Sequence, residues 1–285
     1  MGTVLFTRMS ALVLGMATVG CASWAVRPDL REVQRFAVLY AAAEAAALRD
    51  FDLVILDPDT ASPKTVHTLR RQGVVVLGYL NLGEVEAYRW YAARVDPSWL
   101  RGRNPAWAGH RLVDTREPGW HRLVVETVIP AILAKGYQGL YLDMVDAPTY
   151  PGMEDTAPGM ADLVRTIRKR YPRLVLVAGN PQALLGRIGR YLDGMCVESL
   201  ATVPDGRGGF TAVPDAVLKE RMRRLKTLQT AYRLPVFVVN YTAPDDRRLQ
   251  AWATRVTARA GFVPFVAVPD LDRLLPQPDP NGRTP

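Results

Sequence analysis

Residues 139–147 read GLYLDMVDA, and this stretch carries both a fold class and a candidate site. Its first four residues are small or apolar without interruption, as in a strand buried on both faces of a helix-covered parallel sheet. The run then closes in Asp143, and Asp146 follows. A carboxylate at the end of a buried strand is costly unless it is paired or put to use. In parallel α/β folds, sites gather at the carboxyl ends of the strands.

The same signature recurs on both sides. FAVLY (36–40), LVILD (53–57) and VVVLGYL (74–80) precede it. LVLVAGN (174–180), GMCVES (194–199), PVFVVNY (235–241) and FVPFVAV (262–268) follow. Helical patterns over 65–72, 120–135, 160–171, 214–232 and 245–260 separate several of these runs. Eight strands alternating with helices predict one (β/α)8 barrel of the TIM type over 36–275, close to the ~250 residues such a barrel needs. The stretch from Glu84 to Gly119 reads as an elaborated loop holding one short strand, HRLVD (110–114). Counting that strand gives nine, which an open doubly wound sheet also accommodates. No glycine-rich phosphate fingerprint follows any run, which removes the main reason to prefer that sheet.

The chain begins differently. Arg8 precedes an apolar run, MSALVLGMATV (9–19), too short to cross a bilayer and suited to a signal peptide. Residues 1–20 are expected to be a lipoprotein-type signal, with Cys21 receiving lipid and anchoring the exported protein to a membrane at the cell envelope. Thr18 departs from that pattern, and simple cleavage near Ala22 or Ala25, giving a periplasmic or secreted protein, is the other reading. Residues 21–35 read as a tether, and the Pro-rich residues 276–285 as a disordered tail.

Composition narrows the class. The 285 residues are 48% hydrophobic and 22% charged, as in ordinary globular proteins. The net charge is +8. The arginines are spread along helices, as at Arg165, Arg168 and Arg170, and read as solvated faces. No nucleic-acid partner is expected, and the chain is expected to be a monomer. With Cys21 committed to lipid, Cys196 is left as a packed core residue and no disulfide framework exists. His67, His110 and His121 lack the spacing of a zinc site. That leaves a carboxylate-bound calcium or magnesium as the open metal question. No cofactor is expected, and no G-x-S-x-G elbow is present.

The polar residues at strand ends form the candidate site. They are Asp57 after the second run, Tyr79, Asn81 and Glu84 after the third, and Asp143 and Asp146 after the fourth. Asn180 ends the fifth, Glu198 the sixth and Tyr241 the seventh. Barrel closure would crowd these carboxylates at one mouth and split their pKa values. Asp57 and Asp146 equally suit helix caps.

The runs GYLNLGEVE (78–86), GLYLDMVDA (139–147), AGNPQALL (178–185) and DGMCVESL (193–200) resemble glycoside hydrolase family 114, whose members resemble endo-α-1,4-polygalactosaminidases. The resemblance extends in order from about residue 36 to 268. It implies a (β/α)8 barrel that hydrolyses α-1,4-linked galactosamine or N-acetylgalactosamine polymers, exopolysaccharides of biofilms. It aligns Asp143 and Glu198 with the family's catalytic carboxylates, and Tyr79 and Glu84 with positions near the sugar. Leu82 departs from a position where a small residue is common, and the loop DGRGG (205–209) is short.

Two carboxylates flanking a glycosidic bond are the working parts of most glycosidases. The expectation, by family analogy, is a retaining mechanism with Glu198 as general acid and Asp143 as nucleophile; reversed roles are the alternative. Asp57, Glu84 and Asp146 are expected to pair with a substrate ammonium, with Asn81 and Asn180 also in the sugar site. Trp107, Tyr79 and Tyr241 are expected to stack on sugar faces, although Trp107 equally suits packing under the long loop. The competing functions are hydrolysis of another surface glycan and non-catalytic retention of polysaccharide by a surface lipoprotein.

Overall fold

A computed structural model describes residues 27–104 and 107–280. The expected signal peptide and Cys21 lie outside the described residues. Eight parallel strands form one sheet: β1 (Phe36–Leu39), β2 (Leu53–Leu56), β3 (Val75–Asn81), β4 (Gly139–Asp143), β5 (Val175–Gly179), β6 (Gly194–Glu198), β7 (Val236–Tyr241) and β8 (Val263–Ala267). They follow one another in chain order around the sheet, and β8 comes back beside β1. The chain is a single-domain (β/α)8 barrel, and all eight expected runs are its strands.

Alternation along each strand sorts the side chains. Phe36 and Tyr40 share the inner face of β1 and its end, Tyr141 and Asp143 that of β4, Cys196 and Glu198 that of β6, and Phe237 and Tyr241 that of β7. The Phe36 ring packs 5.1 Å from Phe237 and 5.5 Å from Phe265, filling the lower barrel. The tyrosines and carboxylates occupy the layer above. On the outer face, helices cover the sheet with apolar stripes. The helix Ala157–Arg170 buries Met160, Leu163, Val164 and Ile167, the spacing of a single helical face.

The seam between β8 and β1 is closed by side-chain and loop contacts. The Thr242 N–H donates to the Ala267 carbonyl, so Ala267 faces β7 and the neighbouring Val266 faces β1. The carboxamide of Gln277 accepts the Val266 N–H and donates to its carbonyl, both at 2.9 Å. Pro264, two residues earlier on the same side, has no N–H to satisfy. This corrects the expected boundary of a free tail at 276, since the chain is held through Gln277. The expected tether is corrected as well. Leu30 and Val33 are buried in the core, so the fold begins before residue 36.

The long loop after β3 holds three short antiparallel strands, Glu84–Glu86, His110–Val113 and Leu100–Arg103, with His110–Val113 in the middle. Only the middle one was expected, because its partners are too short or too polar to register as apolar runs. After β6, Thr202–Pro204 pairs with Phe210–Ala212 around the glycine-rich turn. Among the described residues, no helix is long and apolar enough to cross a membrane.

Candidate active site

Three successive strands end alike. The residues that follow β4, β5 and β6 are Met144, Asn180 and Ser199, and all three have left-handed backbones, with φ of 54°, 45° and 55°. Non-glycine residues rarely adopt this conformation, which costs of order 1–3 kcal/mol and clusters at functional sites. Here it turns the chain sharply just beyond Asp143 and Glu198.

Asp143 accepts a hydrogen bond from the Tyr79 hydroxyl at 2.9 Å, and the backbone N–H of Met144 also bonds to it. The same hydroxyl lies 2.9 Å from Glu86 Oε1, and Asn81 Nδ2 donates to it at 3.2 Å. Glu198 is gripped by two neighbours. Tyr241 donates to Oε1 at 2.5 Å, and Asn180 donates to Oε2 at 3.1 Å while accepting the Glu198 backbone N–H.

Burial dominates the electrostatics of the mouth. It pushes Asp143 up to about 8, with the negative charge of Glu198 adding to the rise and the Tyr79 bond opposing it. Burial also raises Asp146 to about 6, its own backbone N–H opposing, with Glu198 and Glu84 adding repulsion. The hydroxyls of Tyr40, Tyr79, Tyr141 and Tyr241 are all pushed well above their ordinary range, first by burial and then by neighbouring acidic groups, Cys196 for Tyr141 and the carboxylates for the others. The pair Asp143 and Glu198 thus resists holding two negative charges near neutrality.

Several expected sugar ligands are committed elsewhere. Asp57, only 5% exposed, accepts Arg89 Nη1 at 2.8 Å and the Asp59 N–H. Glu84, 1% exposed, accepts from Asn104 and meets His110 Nδ1 at 3.1 Å. Asn81 accepts the N–H groups of Gly83 and Glu84, so it shapes the turn after β3. Burial and these internal partners tie Asp57, Glu84 and Asn81 to the turn and loop after β3. Asp146 differs, for its own backbone N–H is its hydrogen-bond partner. Trp107 is half exposed and stacks on His110 with centroids 6.1 Å apart, so it lies on the loop and not under it.

The structure adds residues that sequence reading missed. Tyr40 packs edge-on against Tyr79 at 4.8 Å. Tyr150 feels the charges of Asp146, Glu84, Asp143 and Glu198. Arg89 pairs with Glu86 and Asp57 and lies over the Tyr79 ring at 5.2 Å. Tyr40 carried a usable signal, as it closes the first apolar run. Cys196 is buried and free, with its thiol raised by burial. Among the described residues, no group of three or more histidines, cysteines or carboxylates is arranged to hold a metal.

Comparison with known proteins agrees with this architecture. The profile of glycoside-hydrolase family GH114 matches residues 16–281. An uncharacterized protein of Deinococcus radiodurans is 27% identical over 246 residues, covering 79% of this chain and 75% of its own length. The uncharacterized protein MJ1477 of Methanocaldococcus jannaschii is 26% identical over 240 residues, 75% and 67% of the two chains. Among solved structures, the glycoside hydrolase domain of PelA from Pseudomonas aeruginosa superposes with a TM-score of 0.73 at 25% identity, covering 84% of this chain and 96% of that one. Ega3 from Aspergillus fumigatus, solved in complex with galactosamine, gives 0.71 at 14% identity, with 89% and 97% covered.

Proposed function

The chain belongs to glycoside-hydrolase family GH114, and from that premise we propose that it cleaves α-1,4-linked galactosamine or N-acetylgalactosamine polymers with Asp143 and Glu198 as its two working carboxylates. The observation that carries this reading is their placement at the ends of β4 and β6, each held by side-chain donors, with the Glu198 charge raising the cost of charge on Asp143. The galactosamine in the Ega3 structure supports an amino sugar as substrate. Asp146, partly buried beside the pair and without a side-chain partner, is the carboxylate that meets a sugar ammonium. Trp107 and Tyr241 offer aromatic faces to further sugar rings.

In the proposed reaction, Asp143 attacks the anomeric carbon as Glu198 protonates the departing glycosidic oxygen. Glu198 then takes a proton from water, whose oxygen displaces Asp143 from the sugar. Tyr79 and the Met144 N–H both favour the carboxylate form of Asp143, the form a nucleophile needs. Asp143, pushed up to about 8 by burial and the Glu198 charge, holds its proton near neutrality. The positive charge that develops at the anomeric carbon, next to Asp143, draws the negative charge there and leaves the proton for Glu198.

Lipid attachment at Cys21 and residence at the cell envelope complete the proposal. They rest on the residues before Cys21 and are tested by the membrane fraction of a Cys21→Ser variant, which the proposal expects to lose the protein. The catalytic proposal is tested by release of reducing ends from partially deacetylated α-1,4-polygalactosamine and from a panel of other bacterial polysaccharides. Release from the first alone supports it. Release only from another polymer reassigns the substrate, and binding without release reassigns the chain to polysaccharide retention.

A further inference from the structure

The buried chain of contacts behind Asp143 is longer than a nucleophile needs for anchoring. Arg89 gives Glu86 two bonds, Nε to Oε2 at 2.6 Å and Nη2 to Oε1 at 3.3 Å. Its Nη1 reaches Asp57 at 2.8 Å and Asp59 at 3.1 Å. Arg89, Glu86 and Asp57 are almost wholly enclosed, with side-chain exposures of 5%, 2% and 7%. A buried ion network of this kind is expensive, and removing one partner leaves a charge stranded. Its outlet toward the mouth is the Tyr79 hydroxyl, which has one proton and two carboxylate acceptors at equal distance, Glu86 Oε1 and Asp143 Oδ2.

We infer that Glu86 and Arg89 are positioning residues for Asp143, acting through Tyr79 as a hydrogen-bond switch that follows the protonation of Asp143. When Asp143 is ionised, Tyr79 donates to it, and Glu86 stays satisfied by the two Arg89 bonds. When Asp143 is protonated, its own O–H donates to the Tyr79 oxygen, and Tyr79 turns its proton to Glu86. Asn81 donates to the Tyr79 oxygen in both states. No buried polar group loses all its partners in either arrangement, so the site accepts both charge states with no backbone change. The inference rests on the glycosidase reading only for its purpose, because a nucleophile alternates between anion and neutral ester. The switch itself is a property of the fold.

The test reads the titration of Asp143 without requiring turnover. The pH dependence of thermal stability is measured for the wild type and for Asp143→Asn, and the difference between them isolates the contribution of Asp143. The same pair of curves is then taken in Glu86→Gln, Tyr79→Phe and Arg89→Lys backgrounds. The other ionisable groups facing Asp143 are Glu198 on β6, Asp146 on its own loop, the Cys196 thiol, and the hydroxyls of Tyr40, Tyr141, Tyr150 and Tyr241. All of them are unchanged in every background.

Glu86→Gln removes a negative charge and leaves Arg89 in place, so the Asp143 midpoint is expected to fall. Tyr79→Phe removes the donor to the carboxylate form, so the midpoint is expected to rise. Arg89→Lys keeps the positive charge but gives up the paired bonds to Glu86, so Tyr79 is drawn toward Glu86 and the Asp143 midpoint is expected to rise. Opposite shifts for Glu86→Gln and Tyr79→Phe are the signature of the switch. Equal losses of stability with an unmoved midpoint would overturn it, leaving the network as packing alone. If the midpoints shift as expected while no polymer is cleaved, the switch stands and the glycosidase reading fails.

Discussion

Asn180 holds Glu198 from two directions, its amide nitrogen donating to the Glu198 carboxylate and its amide oxygen accepting the Glu198 backbone N–H, each at 3.1 Å. The left-handed turn at Asn180 places that amide between β5 and β6. Asparagine tolerates this backbone better than most residues, so one side chain meets both the turn and the grip.

This grip is sensitive to a change of one atom. Asn180→Asp keeps the shape and the left-handed tolerance but replaces the donor with a second negative charge against Glu198. We predict a loss of kcat of roughly 10²-fold or more, in the range for a misplaced acid–base group, with the backbone fold intact by circular dichroism. An unchanged kcat would remove Asn180 from the account of Glu198.

Asp143 costs the fold stability as pH rises. Its folded pKa, about 8, lies above its ordinary value of 3.8, so the folded state holds the proton more tightly than the unfolded chain does. Stability from this group is present at low pH and is lost as pH climbs from about 4 toward 8. Asp143→Asn is therefore expected to stabilise the protein at pH 8 by about 1–2 kcal/mol, a Tm gain of roughly 2–8 °C. The gain should shrink to nothing near pH 4. Calorimetry at both pH values checks it, and an equal effect at the two would refute the assigned cause.

Gly179 lies just below the pair. A Cβ there would stand 2.5 Å from the Tyr141 hydroxyl and 3.2 Å from Asp143 Oδ1. Gly179→Ala is predicted to displace both side chains, lowering activity at least tenfold and stability by about 1–3 kcal/mol, the usual cost of overpacking. Denaturant melts and initial rates measure the two losses.

Trp107 stands apart from the chemistry, half exposed on the loop and stacked against His110. Trp107→Ala is predicted to weaken binding of long polymer several-fold while leaving the Tm within about 1 °C, as expected for a surface change. Affinity electrophoresis in a polymer gel measures the first effect. Unaltered mobility would leave Trp107 without a role in the sugar site.

The parts of the molecule legible in its sequence are those set by local pattern. The eight apolar runs identify the barrel strands because burial on both faces leaves no polar position. Asp143 and Glu198 stand out because each closes such a run. Asp57 and Glu84 also sit at strand ends, yet the structure turns them inward. Their partners, Arg89, Asn104 and His110, arrive from the long loop, and no spacing in the sequence reveals a pairing across that distance. Tyr150 was missed for the same reason, since a loop carries it to the carboxylates. Leu30 is not legible as core, because one buried leucine in a polar stretch carries no periodic signal.

The most direct test of the two-carboxylate account compares reducing-end release from partially deacetylated α-1,4-polygalactosamine by the wild type, Asp143→Asn and Glu198→Gln. Folding of each is verified by its melting curve. The account predicts steady release by the wild type and a loss of at least ~10³-fold in each variant, with both still folded. Release at the wild-type rate from either variant would contradict the assignment of that residue.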